Sequence, residues 1–310
     1  MTEKNSVCEF FCGAGGMGQG FSQFFDISSA IDISKSAVNT YQANHKETQV
    51  RRQDVRHITG CRGDFYGITG IIGGPPCQGS SIINTKRCKE DPRNALMGEF
   101  MRLVEEIRPE FFVMENVPGV PKDIKQAVID VGKAARYDVK SIFMNASEYG
   151  AAQTRKRWVV IGTKNKKWIS PRPEPSKTVR EAFAPIKKNW GIMRSSESTL
   201  QKLKTSTPEG WTAMTGQFKN MIRLSWDEPA PAVVNLKKVY MVHPLENRNI
   251  SLAEAAALQG FPPGYQWKGT ESDIAQMIAN AMPAELAGSI AGSFSEGQTT
   301  SQADLMRGFA

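Results

Sequence analysis

The segment Gly73-Gly74-Pro75-Pro76-Cys77-Gln78-Gly79-Ser80-Ser81 carries the strongest chemical signal in the chain. Paired prolines fix the backbone just before Cys77, and the glycines let an outside group approach closely. A thiol held rigidly at the end of a short apolar run has the placement of a nucleophile. The five cysteines (Cys8, Cys12, Cys61, Cys77, Cys88) form no Cys-x-x-Cys pair and sit near no histidine cluster. Neither a disulfide framework nor a metal site is therefore expected. The ordinary role of the other four is that of a small buried hydrophobe.

Two further segments carry charged groups beside strand-like ends. Glu115-Asn116-Val117 ends the apolar run PEFFVM, and a carboxyl beside an apolar strand end can hold a proton. Gln153-Thr154-Arg155-Lys156-Arg157 leads into the strand-like WVVIG, and strand alternation puts Arg155 and Arg157 on one face. Near the start, Phe11-Cys12-Gly13-Ala14-Gly15-Gly16-Met17-Gly18 permits a sharp turn and close approach of a ligand to the main chain. Such turns are common to many folds. Asp32, closing SSAIDI, is placed to take ribose hydroxyls, and Asp54, in RRQDV at the next strand end, to accept from an adenine amino group. The trio suits an adenosine ligand and does not separate NAD from S-adenosylmethionine.

The elements that must position these groups alternate. Apolar runs at 6–12, 28–33, GITGIIGG and PEFFVMENV read as strands, and SKSAVNTYQANH and NALMGEFMRLVEEI as helices. Alternation implies an α/β fold with a doubly wound, mostly parallel sheet, in which ligands bind beyond the carboxyl ends of the strands. The pattern lapses after Thr163; residues 164–220, rich in Lys, Pro, Ser and Thr, read as the core of a second domain. Order returns in two helix-like stretches, SLAEAAALQGF and DIAQMIANAMPAELAGSIAG. The expected division is a catalytic and cofactor-binding domain at 1–163, a smaller domain at 164–270, a segment at 271–300 returning to the first, and a polar tail at 301–310.

At 310 residues the chain is long enough for such a pair of domains. No apolar run reaches a membrane-spanning length, and the N-terminus lacks the sections of a signal peptide. An intracellular protein without a membrane partner is expected. The net charge of +8 suggests a polyanionic partner. Between Arg155 and Lys204 fourteen Lys or Arg face three Glu, interleaved with Trp158, Trp168 and Trp190. That tract fits a nucleic-acid face or a solvated surface.

Together and in this order the motifs resemble the DNA cytosine-5 methyltransferase family. FCGAGGMGQGF is similar to its cofactor loop, and DPRNALMGEFMRLVEEIRPEFFVMENVPGV to its stretch into Glu-Asn-Val. NASEYGAAQTRKRWVVIG, RLSWDEPAPAVV, HPLENRNISLAEAAALQGFPPGY and IANAMP resemble its later motifs, leaving 164–220 uncovered. The resemblance implies an S-adenosylmethionine-dependent, Rossmann-like fold whose smaller domain recognises the target. It implies methylation of carbon 5 of a cytosine flipped out of a short sequence in double-stranded DNA. Cys77 would add to carbon 6, Glu115 bind N3 and the exocyclic amine, and Arg157 with Arg155 bind O2 and a phosphate. The implied cofactor contacts are Phe11, Gly13, Ala14, Gly15, Gly16, Met17, Asp32, Ile33, Asp54, Val55, Pro76, Leu96, Asn280, Ala281 and Met282. Gln78, Ser80 and Ser81 would lie on a loop closing over the base, and Arg155, Lys164 and Lys187 would contact DNA.

Four positions depart from the family pattern: Glu9 stands where Asp is usual, Asp32 where Glu is, Ser80 for an aromatic, and Ala279 for a glycine. The short second domain suggests a recognition sequence of about two to four base pairs, with Lys164, Lys166, Lys167, Lys187 and Lys188 on phosphates. Trp190, Arg194 and Gln217 are candidates for reading bases. The compact unit resembles bacterial or phage enzymes of restriction–modification systems, which implies a cytoplasmic monomer and allows a cognate endonuclease in the same system. The alternatives are the branch that methylates tRNA, whose Cys-Phe-Thr signature is absent, and a non-catalytic DNA-binding relative. A Rossmann dehydrogenase would have no use for Gly-Gly-Pro-Pro-Cys-Gln.

Overall fold

The computed structural model describes residues 5–60, 65–76, 95–165, 168–192, 212–213, 221–236 and 240–295. In chain order the elements are β1 (Ser6–Phe10), α1 (Gly16–Phe21), β2 (Asp26–Asp32), α2 (Lys35–Asn44), β3 (Gln49–Arg52), β4 (Gly70–Gly73), α3 (Ala95–Ile107), β5 (Phe111–Asn116), α4 (Lys122–Ala134), β6 (Asp138–Asn145), β7 (Gln153–Thr154) and β8 (Lys156–Thr163). After them come α5 (Val179–Phe183), β9 (Thr212–Ala213), β10 (Met221–Arg223), β11 (Ala230–Pro231), β12 (Tyr240–Val242), α6 (Leu252–Leu258), α7 (Glu271–Asn280) and α8 (Ala284–Ser295).

Seven strands form one sheet in the order β3-β2-β1-β4-β5-β8-β6. The first five run parallel, while β8 is antiparallel to both β5 and β6. This is the expected mostly parallel α/β architecture. The central strands β4 (GIIG) and β5 (FFVMEN) are buried at every position, as strands covered on both faces must be. One face packs Val7, Phe21, Phe111 and Ile161 against α1 and α8; the other packs Phe10, Phe112, Met114 and Trp158 against α3 and α4. Helix α3 buries Met97, Phe100, Met101 and Val104, the i, i+3, i+4, i+7 stripe of an amphipathic helix.

A further core joins α5, α6 and α7 with Leu224, Val233 and Leu236, and it reaches back to Ala14 and Ala37 beside the sheet. Small sheets β12-β10-β9 and β11-β7 lie outside the main one. The stretch DIAQMIANAMPAELAGSIAG, expected as one helix-like unit, is two helices. Ala281 turns extended (φ −60°, ψ 143°) ahead of Pro283, and α8 then packs along α1.

The tryptophans of the basic tract do not make a nucleic-acid face. Trp158 is buried in the sheet and donates to Ser141 Oγ at 2.8 Å; Trp168 is buried and donates to Ser293 Oγ at 2.7 Å. Trp190 is half-buried against Trp267 in the further core. Their large apolar area goes to packing.

Candidate active site

Each strand end of the parallel sheet delivers one part of the site. After β1, Phe11 (φ 55°), Gly13 (φ 54°) and Gly15 (φ 88°) take left-handed backbone and turn the chain into α1. A Cβ at Gly13 would meet nothing within 4 Å, so this backbone is open to a ligand. A Cβ at Gly16 would come within 2.5 Å of the Met282 carbonyl, which brings the 281–283 turn onto the start of α1.

At the end of β2, Asp32 accepts from Gly13 N–H at 2.9 Å on Oδ2 and from Ser34 N–H at 2.8 Å on Oδ1. Each carboxylate oxygen keeps a lone pair for a hydroxyl donor. Burial pushes this carboxyl up from the ordinary aspartate range, against those two hydrogen bonds. After β3, Asp54 is held by Arg56 through the guanidinium and the backbone N–H, which pull it down to about 2.

These groups surround one cavity of about 550 Å³. All the residues expected to touch the cofactor line it except Gly15, whose missing side chain faces Tyr41, His45 and Tyr265 instead. Glu9, Cys12, Ser34, Ala37, Gln53, Arg56, Gly74 and Glu115 also line it, as do Asp273, Gln276 and Met277. Asp273, Gln276, Met277 and Asn280 are spaced i, i+3, i+4, i+7 on α7, so their face was available from the sequence. The volume suits a nucleoside-sized ligand, and the open Gly13 backbone and pinned Asp32 fit its sugar edge.

At the other end of the cavity the Gly74-Pro75-Pro76 turn follows β4. Asn116, closing β5, donates to the Pro75 carbonyl at 2.9 Å and accepts from Val117 N–H at 2.8 Å, which fixes the turn to the neighbouring strand. Asn116→Ala is expected to cost about 1–3 kcal/mol by leaving a buried carbonyl unpaired, measured by urea unfolding; an unchanged midpoint would remove this role. Pro76 lines the cavity. Cys77, Gln78, Ser80 and Ser81 lie outside the described residues, as do Cys61, Cys88, Lys166, Lys167, Arg194 and Gln217.

Glu115 is buried and its Oε1 meets Arg157 Nε at 2.5 Å, while Oε2 stands over Gly74. The apolar surroundings expected for this carboxyl are thus replaced by a buried cation. Burial pushes the Arg157 guanidinium down and Glu115 pulls it back up. The described thiols, Cys8 and Cys12, are held protonated by burial, which drives Cys8 up to about 12 and Cys12 well above the ordinary thiol range. Among the described residues no cluster of potential metal ligands occurs.

Residues 5–296 match the family model for C-5 cytosine-specific DNA methylases. The chain belongs to that family. It is similar to the type II methyltransferase M1.HphI of Haemophilus parahaemolyticus, 32% identical over 91% of this chain and 84% of that protein. M.FnuDI of Fusobacterium nucleatum, also named a type II methyltransferase, is 31% identical over 91% of each. A structure described as a DNA modification methyltransferase encoded within an E. coli prophage superposes with a TM-score of 0.76 at 27% identity, over 94% of this chain and 99% of that one. The Dnmt2 methyltransferase of S. pombe shares the fold at 19% identity, with a TM-score of 0.70 over 94% of this chain and 98% of that one. The enzyme is a DNA (cytosine-5-)-methyltransferase with the Rossmann-like fold of S-adenosylmethionine-dependent methyltransferases.

Two residues of the methylase stand elsewhere than the sequence suggested. Arg155 is 3% exposed and donates to the Val233 carbonyl and to the Ala279 carbonyl, both at 2.6 Å. It faces the C-terminal segment and does not line the cavity, so its guanidinium is not presented to base or phosphate. Lys164 follows Thr163, which pairs with Phe111 at the start of β5, whereas Glu115 and Asn116 are at its end. Because β8 runs antiparallel, Lys164 is carried to the opposite edge of the sheet, where it donates to the Arg108 carbonyl at 2.6 Å. Lys187 is exposed beyond α5.

Proposed function

We propose that this methylase transfers the methyl group of S-adenosylmethionine to carbon 5 of a cytosine flipped out of a short sequence in double-stranded DNA, through a covalent Cys77–C6 adduct. The observation that carries the reading is the meeting of three parts at one cavity. Asp32 and the Gly13 backbone fit a nucleoside at one end. At the other stand the Pro75–Pro76 turn that leads into Cys77 and the Glu115–Arg157 pair.

The cofactor would supply an electrophilic methyl group, held by Asp32, Asp54 and the α7 face. Carbon 5 of cytosine is too poor a nucleophile to take it unaided. Cys77, as thiolate, adds to C6 and makes carbon 5 enamine-like. Glu115, oriented by Arg157, holds the proton at N3 and accepts from the exocyclic amine as the ring gains charge. Arg157 faces O2 and favours the thiolate. After methylation a base or water removes the proton from carbon 5, the C5–C6 double bond re-forms, and Cys77 leaves. A stacked cytosine cannot reach this cavity, so flipping, at a few kcal/mol, is part of the reading.

The relatives' designation as type II methyltransferases supports a place in a restriction–modification system. With that reading go a cognate endonuclease and a methylase working as a monomer in the cytoplasm of a bacterial or phage-infected cell. Among the described residues no helix is long and apolar enough to cross a membrane. The test is incubation with S-adenosylmethionine and unmethylated genomic DNA, followed by bisulfite mapping of 5-methylcytosine, with Cys77→Ala as control. Methylation confined to one short motif and absent from the variant is expected. No DNA methylation by protein with the cofactor demonstrably bound would overturn the reading and turn attention to tRNA.

A further inference from the structure

The reaction proposed above makes no use of a carboxylate that the sheet places in the middle of the cavity. Glu9 of β1 is 2% exposed, lines the cavity, and accepts from the Tyr41 hydroxyl at 2.7 Å. A buried carboxylate ordinarily meets a cation. The groups around Glu9 are neutral or acidic: Cys8 on its own strand, Cys12 on the turn, Asp32 from β2, Tyr41 and His45 from α2, and Tyr265 from the segment before α7. Burial keeps His45 neutral, its pKa brought down to about 4. Arg51 of β3 lies over Phe65, which packs with Cys8 and Phe10 against the face of β1 opposite Glu9.

The cavity as a whole has the same imbalance. Its described wall carries Glu9, Asp32, Asp54, Glu115 and Asp273; Arg56 is bound to Asp54 at 2.5 Å and Arg157 to Glu115 at 2.5 Å, whereas the described ion pairs include none for Glu9 or Asp32. Such a wall awaits a positively charged ligand.

Sheet order says which part of that ligand Glu9 meets. Asp54 follows β3, Asp32 ends β2, Glu9 is in β1, the Pro75–Pro76 turn follows β4, and Glu115 is near the end of β5. Neighbouring strands are about 4.8 Å apart. With the nucleoside over β3 and β2 and the acceptor base over β4 and β5, the atom that gives up the methyl group lies between them, over β1.

We propose that Glu9 is the specificity-determining residue that tells the methyl donor from the spent product, its carboxylate being matched to the sulfonium charge that transfer removes. The inference rests on the cofactor reading above. Transfer carries the methyl group away from sulfur and leaves the bonding pair behind as a thioether lone pair, so the positive charge facing Glu9 disappears.

Burial pushes the Glu9 carboxyl up to about 8, against the Tyr41 and Gly18 hydrogen bonds that favour its ionised form. Near neutral pH, therefore, the free protein holds a proton there which the donor must expel. The sulfonium favours the carboxylate, so donor affinity rises as pH approaches 8 and levels off above it. The thioether product lacks this dependence. Asp32 titrates with both ligands and cancels in the comparison; the sulfonium lowers the pKa of the donor's own amino group, so only the part of the pH dependence that Glu9→Gln removes is assigned to Glu9.

The test is calorimetry on the full chain with S-adenosylmethionine and with S-adenosylhomocysteine, from about pH 6 to about pH 8.5. The ratio of the two dissociation constants is expected to move about tenfold or more in favour of the donor, by at most one decade per pH unit below about 8. Donor binding at neutral pH should release protons, read from the dependence of the binding enthalpy on buffer ionisation. Glu9→Gln should flatten the ratio. Tyr41→Phe, which removes a hydrogen bond that lowers the Glu9 pKa, should move its midpoint to higher pH. A ratio independent of pH in the native protein, or one as steep in Glu9→Gln, overturns the proposal. Should Glu9→Gln fail to fold, the native ratio and the Tyr41→Phe midpoint still decide. Binding of neither ligand at any pH would overturn the cofactor reading instead.

Discussion

Glu115→Gln is expected to lower methyl transfer by two to four orders of magnitude in a protein that still folds. The two side chains of the Glu115–Arg157 pair are 10% and 11% exposed. Deleting one partner of a buried pair outright costs about 3–5 kcal/mol. Glutamine keeps an oxygen for Arg157 Nε and the volume of the site, so the stability loss should stay toward the lower figure. Turnover has no such protection. The amide presents N–H where the reacting ring presents its own N–H groups, and it cannot exchange a proton with N3. Arg157→Ala should show the opposite balance, with the larger stability loss and Glu115 left unoriented. Single-turnover methylation beside urea unfolding separates the two effects. Turnover of Glu115→Gln within tenfold of the parent would remove Glu115 from the chemistry.

The parts of this site legible in the sequence are those written in backbone punctuation. Glycine and proline runs fell at strand ends, and strand ends are where a doubly wound sheet binds ligands. In the structure Gly13, Asp32, Pro76 and Glu115, all at or beside such ends, line one cavity. Of the α7 residues, Asn280 is expected from the resemblance, while Asp273, Gln276 and Met277 are not, because the spacing that faces them to the cavity also suits an ordinary buried face. Lys164 was misplaced because counting charge takes no account of strand direction; one antiparallel strand carries it to the far edge. The tryptophans of the basic tract were misread for a similar reason, since composition does not distinguish a ring that stacks on a base from one that fills a core.

Arg155 is withheld from the cavity by its own hydrogen bonds. β7 ends at Thr154 and β8 begins at Lys156, so Arg155 lies in the break between them, close enough to feel the charges of Arg157 and Glu115 but with both terminal nitrogens bonded to backbone carbonyls. Gln153, just before it, donates to the Leu258 carbonyl at 2.6 Å and accepts from Val233 N–H at 3.0 Å. Arg155 takes the Val233 carbonyl and the Ala279 carbonyl. The pair thus clamps α6, α7 and the 233 segment to the catalytic sheet, one residue before the cavity-lining Asn280, Ala281 and Met282.

Arg155→Ala is therefore expected to be the most destabilising single change in the Gln153–Arg157 run. Two buried hydrogen bonds from a charged donor, at about 1.5–3 kcal/mol each, come to roughly 3–6 kcal/mol before any cavity cost. That is a large part of an ordinary stability margin of about 5–15 kcal/mol. Arg155→Lys, which can reach one carbonyl at a time, should recover about half. Because the 280–282 turn hangs from Ala279, cofactor affinity should fall in proportion to the loosening, even in a variant that remains folded. Urea unfolding and cofactor calorimetry on the two variants test this. An Arg155→Ala protein with its unfolding midpoint and cofactor affinity intact, but with methyl transfer lost, would return Arg155 to the base-binding role that the family resemblance implied.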